Sequence, residues 1–282
     1  MKTIKQIMLP TLVLIASTVS CQITSWDPEY EDFNYEKVAI KQLETFQKPK
    51  LLERDIKYTK RIHRIIDLRQ KVNNVLSWER NPLVRNLHNA VLSGEVYAYY
   101  SDSLSMTVPY TTEEAKDLGS YEIITKILDW EYHPEEVYKD TVFIEKIEWF
   151  SIKKIRIMEE WIFDAQHSTF KPRIIGLALM HQPIIEGVIL NEQPLYWLKM
   201  DEIRPYLTNM EIFSRHNNSA RVNADDFFEM RLFDSYIVKE ENIFDLDIAQ
   251  LDEYNGDNLS ILLRGEIIKN DLFIFEHDIW EY

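Results

Sequence analysis

Cysteine, glycine and basic residues are all scarce in this sequence, and each shortage excludes a class of protein. The single cysteine, Cys21, has no partner for an internal disulfide, so stability must come from the burial of apolar side chains. With only six glycines and no GxGxxG or GxxxxGK motif, the chain lacks the phosphate-binding loops of nucleotide enzymes. Acidic residues outnumber lysine and arginine by 47 to 32, and the formal net charge of −15 argues against a nucleic-acid partner.

Long apolar runs are also absent, except at the N-terminus. Lys2 and Lys5 precede an apolar run at residues 7–19, which ends in the small residues Ser20 and Cys21. This pattern predicts an export signal over residues 1–21, which is too short to be a stable membrane span. Loss of the two lysines with the signal takes the formal charge from −15 to −17. We therefore expect a chain that acts outside the cytoplasm.

Cys21 can be processed in two ways. Cleavage before Cys21 would leave a lipidated cysteine, although Thr18 stands where that type of signal prefers leucine. Cleavage after Cys21 would use Val19 and Cys21 as the small residues of the cleavage site and leave Gln22 at the new N-terminus. We favour the second route, and Cys21 remains a candidate lipidation site.

Residues 22–57 show no clear hydrophobic period and are rich in polar and aromatic side chains. This composition predicts an extended arm, with one short helix at residues 36–46. The aromatic residues of the arm either contact a partner chain or pack on the arm's own domain. They are Trp26, Tyr30, Phe33 and Tyr35.

Residues 58–282 predict a single domain, since no low-complexity linker divides them. The hydrophobic content of 45%, with 12% aromatic residues, is enough to fill a core. The expected elements are a helix at 83–91 ended by Gly94, a strand at 96–100, a helix at 112–118 capped by Thr111 or Thr112 with Glu114, and strands at 142–150, 155–163 and 173–180.

The strands at 155–163 and 173–180 are joined by a short polar segment, which predicts an antiparallel hairpin. After residue 200 the pattern becomes helical, with Asn223 as an N-cap and an apolar stripe near the C-terminus. Gly265 interrupts that last helix at a cost of about 1 kcal/mol relative to alanine. The predicted fold class is α+β, an antiparallel sheet with flanking helices and an extended N-terminal arm. The stripe consists of Ile268, Leu272, Phe275 and Ile279.

Asp164, His167 and Ser168 are the residue types of a hydrolytic triad, and they lie within five positions of one another. Known triads draw their members from separate loops, because neighbouring residues cannot easily place nucleophile, base and acid in a line. Aspartate and serine also make the local hydrogen bonds of turns. We therefore interpret the segment as a hairpin turn, and we expect no catalytic residues.

No metal-binding spacing occurs among the seven histidines. Glu276, His277 and Asp278 are adjacent, but successive residues of a helix face different directions and cannot readily converge on one ion. We interpret them as the solvated end of a C-terminal helix, and we expect neither a metal nor a cofactor.

Several tryptophans lie beside charged residues, as in the rims of protein interfaces. Most are expected in the core, with one or two exposed on the surface. They include Trp130, Trp149, Trp161, Trp197 and Trp280.

The order of longer segments along residues 58–282 resembles the gliding motility protein family GldN, called PorN in non-gliding relatives. The segments that carry the resemblance are "RIIDLRQKVN", "LHNAVLSGEVYAYYSDS", "IRIMEEWIFDAQHSTFKPRIIGLAL", "FSRHNNSARVNADDFFEMRLFDSYIVKEENIF" and the final "FEHDIWEY".

This resemblance implies a structural, non-catalytic subunit of the type IX secretion system of Bacteroidota, without a cofactor. It implies a location in the periplasm, at the inner face of the outer membrane. The implied partners are an outer-membrane lipoprotein of the GldK or PorK type, with which the family forms a large ring, and the inner-membrane motor proteins GldL and GldM. The alternatives are an exported hydrolase that uses Asp164, His167 and Ser168, or a periplasmic ligand-binding module.

Overall fold

The structure of the chain is a computed structural model that describes residues 51–100, 106–118, 120–128, 138–145, 147–185, 188–215, 222–251 and 257–280. The predicted export signal, Cys21, and the arm as far as residue 50, with its expected helix at 36–46, lie outside these residues. The helices are α1 (Leu83–Leu92), α2 (Thr112–Asp117), α3 (Met200–Asn209), α4 (Ala224–Glu229) and α5 (Asn258–Trp280), and 3-10 helices lie at Glu53–Asp55, Asn73–Ser77, Trp149–Ser151 and Ile248–Gln250.

The strands form one sheet of five and three pairs. They are β1 (Ile56–Asp67), β2 (Tyr121–Leu128), β3 (Tyr138–Glu145), β4 (Lys154–Asp164), β5 (Thr169–His181), β6 (Ile184–Ile185), β7 (Val188–Ile189), β8 (Gln193–Lys199), β9 (Glu211–Ile212), β10 (Val222–Asn223) and β11 (Tyr236–Glu240).

The main sheet has the order β11-β1-β4-β5-β8, and all its neighbouring strands are antiparallel. The small pairs are β2 with β3, β6 with β7, and β9 with β10. The predicted α+β class with an antiparallel sheet is therefore confirmed. β4 lies at the centre of the sheet, paired over its whole length with β1 and β5.

The largest hydrophobic core lies where strands of the main sheet meet α1, α3 and α4. Ile157 of β4 and Leu177 of β5 are fully buried there, beside Leu87 of α1 and Phe228 of α4. Each such side chain stabilises the fold by about 1.5–3 kcal/mol through removal from water. Because α1, the β4–β5 hairpin and α4 come from distant parts of the sequence, the core links most of the domain.

A second core cluster forms between the sheet and α5. Ile62 of β1, Phe170 of β5 and Ile237 of β11 pack there against Ile268 and Leu272 of α5. The predicted stripe of α5 is thus confirmed, since Phe275 and Ile279 also pack on this cluster. The ring centroids of Phe275 and Tyr58 are 4.4 Å apart.

Two predicted helix ends are confirmed by their hydrogen bonds. Gly94 follows α1 with a φ of +77°, a conformation that glycine adopts without strain, and its amide donates to the carbonyl of Val91. Thr111 caps α2: its hydroxyl accepts from the amide of Glu114, whose carboxylate accepts from the Thr111 amide.

A buried ion pair joins α3 to α4. Arg204 donates to both carboxylate oxygens of Asp225 at 3.1 Å, and both side chains are buried. Asn223 caps α4 as predicted, by accepting a hydrogen bond from the amide of Asp226. The Arg204–Asp225 ion pair holds α3 and α4 together, and both helices are short enough to be only marginally stable alone.

Three predicted elements need correction. Residues 96–100 are not a strand, since only Tyr99 forms isolated bridges, to Pro109 and Trp197. The strand expected at 142–150 is β3, which begins at Tyr138 and ends at Glu145. The helical pattern after Asn223 stops at Glu229, and residues 236–240 form β11, because pairing with β1 outweighs the local helical preference.

The described part of the chain begins with a short 3-10 helix and the first strand. Described structure begins at Leu51, and β1 begins at Ile56. None of the helices in the described part of the chain combines the length and the apolar content needed to span a bilayer.

Candidate interaction site

Aromatic side chains from two 3-10 helices and from the segment after β9 line a groove on the surface. We call it the aromatic groove and define it by Trp78, Trp149, Phe150 and Phe213. The ring centroids of Trp78 and Phe213 are 6.0 Å apart, as are those of Trp149 and Phe150. Phe150 remains 54% exposed and Phe213 43% exposed. Exposed aromatic rings that lie side by side are typical of protein interfaces.

Two cavities lie along this groove, with volumes of about 220 and 300 Å³. Asn74 and Ser77, from the 3-10 helix Asn73–Ser77, line both of them. Trp149 and Phe150 line the first cavity, and Trp78 and Phe213 line the second. Cavities of this size accept one large side chain each, so the groove suits a protein segment better than a small cofactor.

Asn73 holds the floor of the groove in place. Its side-chain amide donates to the carbonyls of Asp67 and Asp234 and to the Gln70 side chain, each at 2.9 Å. Its side-chain oxygen accepts from the Asp234 amide, also at 2.9 Å. Because Asn73 is fully buried, these bonds tie the 3-10 helix firmly to the ends of β1 and of the segment before β11.

A second asparagine positions the Phe213 side of the groove. Asn81 donates to the carbonyl of Glu211 at 2.8 Å, and Glu211 lies two residues before Phe213. On the Trp149 side, the Arg85 guanidinium lies 5.7 Å from the centre of the Trp149 ring, in cation-π range. The groove therefore has a rigid base and exposed rings.

The rim of the groove carries several cations, although the chain as a whole is acidic. Arg69 and Lys153 line the first cavity, and Arg215 lines the second together with Glu79. Arg69 binds Asp67, with 2.6 Å between Nη2 and Oδ2, and this hydrogen bond lowers the pKa of the Asp67 carboxyl. Arginine next to aromatic rings is a frequent composition at energetically important contacts.

Asp164, His167 and Ser168 lie on the β4–β5 turn, as the sequence predicts. His167 Nδ1 is 2.5 Å from Asp164 Oδ2, and the same carboxylate accepts from the amide of Gln166 at 2.9 Å. The hydrogen bond with His167 lowers the pKa of the Asp164 carboxyl. Ser168 has a φ of +49°, which is the left-handed conformation that closes a tight turn. The contacts of Asp164 are those of a turn.

Among the histidines that the structure describes, His63 has the most strongly perturbed pKa, and sequence reasoning did not single it out. It is buried against the Trp197 ring, and Arg156 Nε donates to its Nδ1 at 3.3 Å. Arg156 in turn binds Asp247 through two hydrogen bonds of 2.5 and 2.9 Å. Burial, with a smaller effect of Arg156 and Lys239, lowers the pKa of His63 to about 2.

A perturbed histidine often marks an active site, but His63 lies under the surface. His63 is 3% exposed and Arg156 is 8% exposed, so neither can meet a substrate. The network instead holds the segment around Asp247 against the sheet, with Lys239 bound to Asp245 nearby. Its role is to fix β11 and the following loop.

Glu276, His277 and Asp278 lie in the last turns of α5, as predicted. No group of three potential metal ligands occurs among the residues that the structure describes. Of the tryptophans, Trp197 is buried, and Trp161 and Trp149 are partly buried. The side chains of Trp130 and Trp280, and the arm residues Trp26, Tyr30, Phe33 and Tyr35, lie outside the described part.

Sequence reasoning missed the aromatic groove because its residues come from separate segments. Trp78 follows the first 3-10 helix of the groove, Trp149 begins the second, and Phe213 follows β9. The only signal in the sequence is the presence of tryptophan beside charged residues, which predicts one or two exposed rings without locating them.

The chain was compared with curated proteins and with models of protein families. No curated protein shows significant sequence similarity to the chain. The model of one family, described as gliding motility associated protein GldN, matches residues 51–281, and this match includes the main sheet and helices α1 to α5 of the described part. The match covers most of the chain, and the chain therefore belongs to the GldN family of gliding motility associated proteins.

Proposed function

We propose that this chain is a structural periplasmic subunit of the type IX secretion and gliding motility machinery, located at the inner face of the outer membrane. The observation that carries the proposal is the GldN family match over residues 51–281. In this proposal the chain assembles into a ring with an outer-membrane lipoprotein of the GldK type. The motor proteins GldL and GldM are its partners on the side of the inner membrane.

The aromatic groove is the site that we assign to the lipoprotein. Its exposed rings and adjoining cavities offer apolar anchors, and its rim offers arginine and lysine. Such a centre buries aromatic side chains while the rim selects an acidic partner surface by charge. A stable contact of this kind buries roughly 1,000 Å² or more.

At long range, the negative net charge of the chain attracts basic surfaces, whereas the rim of the groove attracts acidic ones. The formal charge of −15, or −17 after loss of the two signal lysines, favours approach to a basic region of a partner. The two effects act at different distances: the net charge steers the encounter, and the rim of the groove acts on contact. Affinity for the lipoprotein should fall as salt rises, because both effects are screened.

We further propose that the chain performs no chemistry. A hydrolase built on Asp164, His167 and Ser168 would need a nucleophile held in line with its base, whereas the contacts of Asp164 are those of a turn. The rival ligand-binding module would bind a small molecule in a defined apolar pocket. Neither rival explains the exposed aromatic groove.

Two measurements test the proposal. The tagged protein is purified from cell envelopes, and mass spectrometry identifies the associated proteins and the mature N-terminus, including the state of Cys21. We expect a GldK-type lipoprotein in amounts comparable to the chain, and its absence would overturn the proposal. In the second measurement, His167→Ala should leave secretion intact, whereas a hydrolase would lose activity and keep its partner.

A further inference from the structure

The outer face of α5 carries a stripe of apolar side chains that nothing in the described domain covers. The buried face of the helix, with Ile268 and Leu272, already packs on the second core cluster. The opposite face exposes six large apolar residues, each between 48% and 65% accessible to solvent. We call them the α5 stripe: Leu259, Leu262, Leu263, Ile267, Phe273 and Ile274.

The α5 stripe is comparable in size to the largest apolar patches on typical monomers, which are often functional. It extends from Leu259 to Ile274, a rise of about 22 Å along the helix axis at 1.5 Å per residue. Apolar patches on monomeric proteins seldom exceed ~300–600 Å², and six half-exposed leucine, isoleucine and phenylalanine side chains reach that range. A helix that is apolar on two opposite faces is normally buried on both. Exposed apolar faces of this kind mark interaction sites on many proteins.

The polar residues of the outer face show which partner fits it. Glu266, Lys269 and Asn270 surround Ile267 near the middle of the stripe, with leucines on one side and Phe273 and Ile274 on the other. Lys269 Nζ lies 3.3 Å from Glu266 Oε2 on the same helix. A polar centre between two apolar ends is symmetric about its middle, and such a surface can pair with itself.

We propose that α5 pairs with α5 of a second copy of this chain, in antiparallel orientation, with the two-fold axis level with Ile268. In this register Leu262 of one copy lies beside Phe273 of the other, and Leu263 lies beside Ile274. Apolar ends thus meet apolar ends. The two copies contribute equal surfaces, as an isologous contact requires.

The same register also matches the charges. Glu266 of each copy lies beside Lys269 of the other, so the pair gains two contacts between opposite charges. Parallel pairing would instead place Glu266 against Glu266 and Lys269 against Lys269, which like-charge repulsion disfavours. The arrangement of charges therefore selects the antiparallel pair.

A cavity beside Phe273 gives the contact additional depth. It has a volume of about 360 Å³ and is lined by Trp161, Leu272 and Phe273 together with Arg64 and Arg231. Two stripes of this size bury about 1,000 Å² in total, which is near the lower limit of specific interfaces. We therefore expect dimers at micromolar concentrations. This contact involves only copies of the chain and does not rest on the proposed function.

Sedimentation equilibrium of the mature chain, taken from Gln22 so that Cys21 is absent, tests the proposal without any partner. The wild-type chain should be a dimer at about 100 μM. Leu263→Glu or Ile267→Glu should raise the dissociation constant of the dimer at least tenfold. Ile243→Glu is the matched control, because Ile243 is 98% exposed and lies off α5. A monomeric wild-type chain would overturn the proposal, and so would equal effects of all three variants.

Charge reversal tests the pairing itself. Glu266→Lys and Lys269→Glu should each weaken the dimer on the order of tenfold, because two attractive contacts become repulsive. An equimolar mixture of the two variants should recover wild-type affinity, since every contact in the mixed dimer is again between opposite charges. Failure of the mixture to recover would contradict the assigned contact.

Cross-linking tests the orientation. Leu263→Cys and Ile274→Cys proteins, mixed and oxidised, should form the mixed disulfide, because these positions lie side by side only in the antiparallel pair. Disulfides formed only within each variant would show parallel pairing and reject the proposed geometry. All these variants should retain the wild-type circular dichroism spectrum, because the changed side chains are exposed.

Discussion

Gly265 of α5 lies directly against the backbone carbonyl of Ile237 in β11, so closely that a Cβ atom would be 2.9 Å from that oxygen. The glycine that interrupts the apolar pattern of α5 therefore has a packing role. It lets the helix approach the edge strand of the sheet, and its intrinsic cost of about 1 kcal/mol is offset by that contact.

Gly265→Ala should destabilise the protein. Alanine favours the helix by about 1 kcal/mol, but the backbone oxygen cannot move aside easily, and overpacking of this kind costs about 1–3 kcal/mol. We expect a net loss of stability in urea unfolding. Asp271→Ala is the control, because it changes an exposed position of the same helix and should be neutral or slightly stabilising. An increase in stability for Gly265→Ala would contradict the close packing.

Asn73→Ala should cost about 3 kcal/mol of unfolding free energy, because it removes the hydrogen bonds that this fully buried side chain makes with the backbone of Asp67 and Asp234. The neighbouring Asn74 is exposed, so Asn74→Ala should change the unfolding free energy by less than about 0.5 kcal/mol. Chemical denaturation measures the unfolding free energy of both variants. Similar losses of unfolding free energy would show that the hydrogen bonds of Asn73 are not the cause.

His63 should make the stability of the protein depend on pH. Its pKa is about 2 in the folded protein against an ordinary value of 6.5, so between these values the unfolded chain binds a proton that the folded chain does not. Its contribution is therefore complete above pH 6.5 and is lost progressively as the pH falls. His88 and His181, whose pKa values burial also lowers, act in the same direction.

His63→Gln should reduce the slope of unfolding free energy against pH by up to about 1.4 kcal/mol per pH unit below pH 6. Glutamine keeps an acceptor for Arg156, which limits other damage to the network. The same substitution at His277, on the exposed end of α5, is the matched control. The slopes follow from urea unfolding at several pH values between 5 and 8, and an unaltered slope for His63→Gln would exclude this residue as the source.

Phe150→Asp combined with Phe213→Asp should weaken binding to the GldK-type lipoprotein at least tenfold, because both exposed rings of the aromatic groove lose their apolar contact. Phe244→Asp is the matched control, since Phe244 is 75% exposed and lies outside the groove. Isothermal titration with the lipoprotein's soluble domain gives the affinities. Equal binding by all three proteins would place the lipoprotein contact elsewhere.

Local patterns in the sequence predict the local parts of the fold. The β4–β5 hairpin, α1 with Gly94, and α2 with Thr111 each depend on residues close in sequence, and all are confirmed. β1 and β11 were not predicted, because their pairing joins segments more than 170 residues apart. No periodicity within β11 reveals that distant partner, and the nearby helical pattern of α4 predicted a helix there instead.

The candidate site was less accessible to sequence reasoning than the fold. Because the sequence contains no catalytic motif, we expected a structural role. The resemblance to the GldN family is confirmed by the family match. The aromatic groove depends on how Asn73 and Asn81 bring three distant segments together, which composition does not encode. The role of Gly265 was likewise hidden, because its neighbour Ile237 is distant in sequence.

The strand order has a consequence for how the chain matures. β1 is made early, yet one of its edges stays open until β11, near the end of the chain, arrives to cover it. An incomplete chain that ends before residue 236 would keep that row of backbone donors and acceptors unpaired and ready to join the same row of another fragment. Only a polypeptide synthesised as far as residue 240 can cover this edge of β1 with a strand of its own, so shorter fragments should be more prone to aggregate.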